Sequence, residues 1–257
     1  LAVRQNKSIQ IQSISNMFTD KHFFEINREE RNYGFLLLSS LIYEENFRRE
    51  FLAILKKKSH HLSEIIEISA PIDIYAEVAL FRDYWFDFGD HKNYKPELHQ
   101  SRLTTISEIL ESFSINSKII ENNDLFWTGK IGESKLWYPG RWEIAKIHKA
   151  QKQENLIHNE LLRIRWASNA KPDILITSNN WAAFIELKIE SGIGENQDGY
   201  NQSKTLLDII TIAKKTIPSF HNLHIDSFII SKNEPNSIKW TDFIEAIGHD
   251  LVKKYMK

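Results

Sequence analysis

Residues 172–188 read PDILITSNNWAAFIELK, and this stretch sets the fold of the C-terminal half of the chain. Two runs rich in β-branched and aromatic residues flank the sequence Ser-Asn-Asn at 178–180, which is a turn signal. We predict a β-hairpin that turns at Asn179 and Asn180, with both residues at the positive φ angles that two-residue loops favour.

The register of this hairpin follows from the turn. If Ser178 faces Trp181, the numbers of facing residues sum to 359. Asp173 and Glu186 meet that sum, so we predict that they are cross-strand neighbours with Cβ atoms roughly 5 Å apart. A loop of odd length would break this register. Lys188 lies two residues beyond Glu186 and shares its face of the strand, so two carboxylates and one ammonium group converge on one patch.

The chemistry of this patch points to a divalent cation. Two carboxylates roughly 5 Å apart repel each other unless a cation or a proton intervenes. Hard oxygen ligands with room for water suit Mg²⁺ or Mn²⁺, which can polarise a phosphate oxygen and lower the pKa of a bound water. A lysine can orient or deprotonate that water, or offset charge on the phosphoryl oxygens. The plain structural alternative is a cross-strand salt bridge on an exposed sheet face.

The opposite face of the second strand is wholly apolar and is predicted to be buried. Its residues are Trp181, Ala183, Ile185, Leu187 and Ile189. Because side chains alternate along a strand, this face identifies the side of the sheet that carries no polar chemistry.

The spacing of these residues resembles the signature of the PD-(D/E)XK nuclease superfamily. Asp173 follows a proline, and after twelve further residues the chain reads Glu186-Leu187-Lys188. The resemblance implies a metal ion bound by the side chains of Asp173 and Glu186 and by the backbone carbonyl of Leu187, with Lys188 as the catalytic lysine. It also implies hydrolysis of a phosphodiester bond that leaves a 5′-phosphate.

The resemblance extends over about residues 142–231 and implies an α/β fold with a restriction-endonuclease-like core, a mixed central sheet flanked by helices. The predicted order of elements here is helix, strand, strand, helix, strand, helix. We expect a mainly helical N-terminal region at residues 1–140, serving recognition, partner binding or dimerisation. The nuclease core is expected at residues 141–257.

Apolar periodicity and turn residues predict the individual elements. The predicted helices are residues 31–54 (one broken helix or two packed helices), 97–113, 142–164, 200–216 and 240–255. The predicted strands are residues 172–177, 181–189 and 224–231. Residues 72–88, rich in aromatic side chains, give no clear pattern, and we expect these rings in the core rather than as platforms for stacking bases.

Two further residues are weaker candidates for the site. Superfamily members often carry an extra acid on the helix before the first strand, and on a 100° helical wheel Glu160 falls inside an apolar arc. That arc consists of Leu156, Ile157, Leu161 and Ile164. Metal ligation would explain an acid there, and so would an ion pair with Arg163 or Arg165. Gln197 resembles the glutamine that many members place before or on their second core helix, although it could simply start that helix.

Composition limits the other classes of function. The 257 residues include no cysteine, which excludes disulfides, thiolate zinc sites and a cysteine nucleophile and fits a reducing cytoplasm. No apolar run is long enough to cross a membrane, and the first residues lack a secretory pattern. Basic and acidic residues nearly balance, at 33 and 34. Residues 141–171 hold a local excess of seven basic over three acidic side chains, which suits a solvated helix face or a nucleic-acid surface.

These observations lead to an Mg²⁺-dependent endonuclease as the expected function, with Mn²⁺ as a possible substitute. The superfamily suggests DNA as the substrate, a restriction or phage-defence role in the cytoplasm, and a homodimer for cutting both strands. The alternative keeps the fold without the chemistry, as a nucleic-acid-binding or assembly module. A nuclease that needs an activator is a third hypothesis.

Overall fold

The computed structural model describes residues 30–89, 95–188, 201–232, 235 and 237–246. Within them the chain forms an α/β fold around a five-stranded mixed sheet, in the order β1-β2-β3-β4-β5. Strand β2 is antiparallel to both of its neighbours, β1 and β3, whereas β3, β4 and β5 are parallel. The strands are β1 (Asp73–Ala76), β2 (Ile174–Thr177), β3 (Trp181–Lys188), β4 (His224–Ser231) and β5 (Ile238–Lys239).

Helices precede, separate and follow these strands. They are α1 (Glu30–Tyr43), α2 (Glu45–Lys58), α3 (Leu80–Phe86), α4 (His99–Ser112), α5 (Ile119–Asn122), α6 (Ile144–Gln153), α7 (Glu160–Asn169), α8 (Gln202–Thr216) and α9 (Trp240–Ala246). Among the helices of the described ranges, none has the length and apolarity that a membrane crossing requires.

The sheet is covered on both faces, which is why every residue of β3 is buried. On one face, apolar side chains of α1, α2 and α9 pack against Trp181, Ala183, Ile185 and Leu187. This confirms the prediction that these residues form a buried apolar face. On the other face, α3, α4, α6, α7 and α8 pack around Ala182 and Phe184.

The register predicted for the hairpin is confirmed. Ile174 faces Ile185, and the Ser178 N–H donates to the Trp181 carbonyl at 2.9 Å. The φ angles predicted for the turn are wrong, since neither Asn residue is among those with positive φ. The neighbouring strand contributes to holding the turn, because the carbonyl of Asn180 accepts the His224 N–H at 2.9 Å.

The single helix predicted at 142–164 is also wrong, because the chain breaks between α6 and α7. Asn155 and Asn159 both have φ of 54°, a left-handed conformation that asparagine tolerates better than most residues. The buried Gln151 stabilises the break. Its amide donates to the Asn159 side chain at 3.0 Å, and its side-chain oxygen accepts the Leu162 N–H at 3.3 Å.

Most other predicted elements are present. The segment 31–54 consists of two helices, with the Arg48 guanidinium donating to carbonyls at the end of α1 at 3.1 and 3.3 Å. The strand at 224–231 has the predicted bounds. The final helix is described only as far as residue 246.

Strand β1 was not predicted, and it joins the N-terminal part of the chain to the sheet. It pairs with β2 so that Tyr75 faces Leu175, and α1 and α2 cover one sheet face. The sheet and its core therefore draw on residues from both sides of the boundary predicted near residue 140.

Candidate metal and catalytic site

Asp173 precedes β2 directly and is held from two sides. Its Oδ2 atom accepts the backbone N–H of Leu187 at 2.7 Å, and its carbonyl accepts the N–H of Glu77 at 3.0 Å. The hydrogen bond from Leu187 holds the carboxylate against β3, and the hydrogen bond from Glu77 holds the backbone against the end of β1. Asp173 is only partly exposed as a result.

Pro172 leaves the Leu187 carbonyl without a ladder hydrogen-bond donor at the facing position. Hydrogen-bonded pairs alternate with non-hydrogen-bonded pairs along an antiparallel ladder. Counting from the bonded pair Ser178–Trp181, the next such position beyond the paired strands joins residues 172 and 187. Proline has no N–H to donate to the Leu187 carbonyl. The Leu187 N–H, for its part, donates to the Asp173 carboxylate.

Glu186 and Lys188 form an ion pair at the end of β3. The Lys188 Nζ lies 3.2 Å from Glu186 Oε1, and both residues are buried, at 7% and 9% exposure. The indole N–H of Trp240 donates to the Lys188 carbonyl at 2.9 Å, which fixes the strand end. Burying two such groups is costly unless they are paired, so each offsets part of the desolvation cost of the other.

The structure therefore brings the three principal predicted residues together. The observed register continues to place Asp173 opposite Glu186, with Lys188 two residues further along β3. All three lie on the sheet face that carries Phe184, where a non-hydrogen-bonded pair brings facing side chains close. The alternative of an exposed cross-strand salt bridge does not describe this pair, which lies along one strand and is buried.

The donor atoms at this place fit a small divalent cation. They are two carboxylates and the Leu187 carbonyl, all hard oxygens of the kind that Mg²⁺ and Mn²⁺ prefer. In the ranges that the structure describes, no group of three or more His, Cys, Asp or Glu side chains could hold a metal. A pair of acids agrees with Mg²⁺ chemistry, because this ion commonly takes one or two carboxylates and fills its remaining positions with water and substrate phosphates.

Glu160 has different surroundings from those predicted. It is the first residue of α7, and its Oε2 accepts the His158 N–H at 3.2 Å. The wheel argument fails because the chain before Glu160 is not helical, and Ile157 is 80% exposed.

The predicted ion-pair alternative for Glu160 has no support in the contacts of the two arginines. Arg163 donates to Asp208 at 2.7 and 3.1 Å, and Arg165 donates to the Trp142 carbonyl at 2.9 Å. Glu160 therefore serves the start of its own helix in this structure. Gln197 lies outside the described residues.

The sequence did not single out the polar residues on the neighbouring strands. Ser231 is in register with Lys188 on one side and with Lys239 on the other. The hydroxyls of Ser231 and Ser237 are 2.7 Å apart, and Lys239 Nζ lies 3.3 Å from the Ser237 hydroxyl. Parity along the predicted strand 224–231 could have placed Ser231 on one face, but the partner of that strand was not predictable locally.

The basic run at 141–171 does not form one continuous surface. Lys146 pairs with Asp124 at 3.3 Å, and Arg163 and Arg165 are used in contacts between elements. The exposed basic residues of the run are Arg141, Lys149, Lys152 and Lys171. Part of the predicted charge excess therefore stabilises the fold.

Comparisons with known proteins gave no relative. Neither the protein-family models, nor the curated proteins, nor the solved structures gave a match to the chain.

Proposed function

We propose that the protein is a divalent-metal-dependent nuclease that hydrolyses phosphodiester bonds, with Asp173, Glu186 and Lys188 as its catalytic residues. The observation that carries the proposal is the 2.7 Å hydrogen bond from the Leu187 N–H to Asp173 Oδ2. This contact ties the acid before β2 to the strand that bears the Glu186–Lys188 pair. Two acids and an amine at one strand end suit phosphoryl chemistry better than a purely structural role.

In this mechanism Asp173, Glu186 and the Leu187 carbonyl would hold Mg²⁺ or Mn²⁺. The chemistry that such a cation supplies is polarisation of a phosphate oxygen and a lowered pKa of nearby water. Lys188, kept 3.2 Å from Glu186, offsets the negative charge that develops on the phosphoryl oxygens and orients the attacking water. The buried surroundings of this pair strengthen these electrostatic effects.

The proposal extends to the substrate, the fold and the assembly. The motif at 172–188 favours a restriction-endonuclease-like core, DNA as substrate, and a restriction or phage-defence role in the cytoplasm, all by resemblance. Cutting both strands of a duplex normally uses two sites related by two-fold symmetry, so we extend the proposal to a homodimer on DNA.

Plasmid nicking tests the proposal. We expect the full chain to nick supercoiled plasmid with Mg²⁺ or Mn²⁺ and to stop when EDTA is added. Asp173→Asn removes one of the two charged ligands, and Lys188→Gln removes the ammonium, so each should lower the nicking rate at least about a hundredfold. Asp73→Asn on β1 and Lys149→Gln on α6 are matched controls with exposed side chains, and they should retain the rate.

The contrary outcomes are distinct. Nicking that persists in Asp173→Asn would place the activity elsewhere and contradict the proposal. A wild-type protein that binds DNA or RNA but cuts neither favours a binding or assembly module on the same fold. Nicking that appears only after addition of cell extract points to an activator.

A further inference from the structure

A cavity of about 1130 Å³ lies apart from the carboxylate site, among residues between 82 and 141 and the end of α7. It is large enough for a nucleotide-sized ligand, since pockets for small molecules span roughly 300–1,000 Å³. Nothing in the proposed reaction uses it. Its walls come from α3, the start of α4, residues 128–141 and Asn169.

The charge of the cavity wall suits an anion. Among the described lining residues, four are basic and one, Glu133, is acidic. The basic residues are Arg82, Arg102, Lys135 and Arg141. Glu133 contacts Lys130 in an exposed pair. Arg82 has an exposed side chain whose contact with the adjacent Asp83 is long, at 3.4 Å, and this contact is worth little.

The same wall carries aromatic rings that offer flat apolar faces. Phe86 is 47% exposed at the cavity, while Trp85 and Tyr138 are buried and Trp137 is partly exposed. Arg102 lies over the Trp85 ring at 5.6 Å and donates to the carbonyls of Phe88 and Gly89, which fixes this part of the wall. Cationic groups beside stacking rings are the combination that binds nucleotides in single strands.

The opposite wall is attached to α7. The Asn169 amide donates to the Gly140 carbonyl at 2.7 Å, and the Tyr138 hydroxyl donates to the Ser168 carbonyl. A side chain at position 140 could not fit, because a Cβ there would lie 2.5 Å from a ring carbon of Tyr138. The backbone of residues 138–140 therefore sits directly against the end of this helix.

The cavity is close to the carboxylate site along the chain. Asn169 precedes Asp173 by four residues, so their Cα atoms are at most roughly 14 Å apart. On the other wall, Arg82 follows Glu77 by five residues, and the Glu77 N–H donates to the Asp173 carbonyl. Nucleotides of one strand rise about 3.4 Å each, so about four of them cover this separation.

We propose that this cavity binds a nucleotide of the strand whose phosphodiester lies at the carboxylate site, about four nucleotides or fewer away. Phe86 stacks on the base, and Arg82 contacts the adjoining phosphate. The assignment to a strand rests on the proposed function, whereas the recognition of a base and a phosphate rests on the cavity itself.

Binding measured without cleavage tests this assignment. The full chain in EDTA is titrated against a fluorescein-labelled single-stranded DNA oligonucleotide at several salt concentrations. Phe86→Ala should weaken binding between about fivefold and about a hundredfold, the range expected for losing one stacked base, with an unchanged salt dependence. Arg82→Gln should weaken binding and reduce the slope of log K against log salt by about 0.7, the value for one lost phosphate contact in a single strand.

Matched controls separate these effects from misfolding. Phe35→Ala removes an aromatic ring that is 68% exposed outside the cavity, and Arg49→Gln removes an exposed charge on α2. Both should bind like the wild type, and all four variants should melt at the wild-type temperature.

Several results would overturn the assignment. Wild-type affinity in both Phe86→Ala and Arg82→Gln would do so, as would a wild type that binds no oligonucleotide. Free AMP that binds with sensitivity to both variants, while the oligonucleotide is insensitive to them, would assign the cavity to a free nucleotide instead. The two proposals can fail separately. A wild-type protein that binds the oligonucleotide but does not nick plasmid contradicts only the proposed nuclease activity.

Discussion

At the scale of single residues, Pro172 controls what the Leu187 backbone can do. A residue with an N–H at position 172 could close the ladder onto the Leu187 carbonyl. The proline leaves that carbonyl without this donor, beside the Asp173 carboxylate that takes the Leu187 N–H. A backbone oxygen next to an acid is a good additional ligand for a hard cation.

We predict that Pro172→Ala raises the Mg²⁺ concentration needed for half-maximal nicking. The new N–H would compete for the Leu187 carbonyl, and one hydrogen bond is worth about 1 kcal/mol, or roughly fivefold in metal affinity. The measurement is the Mg²⁺ concentration for half-maximal nicking, with Pro218→Ala at an exposed proline as the control. An unchanged Mg²⁺ requirement in a stable Pro172→Ala protein would show that the Leu187 carbonyl is not a metal ligand.

The sequence predicted the principal site residues because their positions obey local rules. A two-residue turn and the alternation of side chains are enough to place Asp173, Glu186 and Lys188 together. The wheel argument for Glu160 failed because it assumed a helix where Asn155 and Asn159 turn the chain. The buried Gln151 side chain bonds Asn159 and the start of α7, and no local pattern reveals these contacts.

At the scale of elements, an ion pair joins the helices on either side of the hairpin. Arg163 of α7 donates twice to Asp208 of α8, at 2.7 and 3.1 Å, and Asp208 is only 4% exposed. The Arg163 guanidinium also lies 5.0 Å from the centre of the ring of Phe113, the residue directly after α4. The pair therefore joins three elements that pack on the sheet face carrying Phe184.

We predict that Asp208→Asn lowers the free energy of unfolding by about 2–3 kcal/mol, because it weakens two charge-assisted hydrogen bonds in a mostly buried place. Glu133→Gln breaks an exposed pair with Lys130 and should cost less than about 1 kcal/mol. Urea unfolding followed by circular dichroism measures both. Equal, small losses would show that the α7–α8 contact does not depend on this pair.

Strand β1 shows why some elements were not predictable. It has only four residues and lies at the edge of the sheet. The next residue, Glu77, has φ of 47° and ends the strand. Its identity as a strand comes from pairing with β2, about 100 residues later, rather than from alternation of its own side chains. The segment 72–88 therefore gave no pattern that could be assigned from sequence.

At the scale of the molecule, the sheet separates two apolar clusters and carries the polar site at the end of β3. The hairpin, the strand at 224–231 and the α/β class followed from the sequence. The cavity did not, because its walls combine segments from residue 82 to residue 169 that only the fold brings together. The predicted division at residue 140 likewise did not anticipate that residues on both sides of it contribute strands to the same sheet.

We propose that Asp173 and Glu186 hold one divalent cation between them, and diffraction from crystals soaked in Mn²⁺ would locate that ion. We predict an anomalous peak about 2.0–2.5 Å from oxygens of both carboxylates, and no such peak in Asp173→Asn crystals. A wild-type structure in which Mn²⁺ binds only elsewhere, or in which the Asp173 carboxylate turns away from Glu186, would contradict the account.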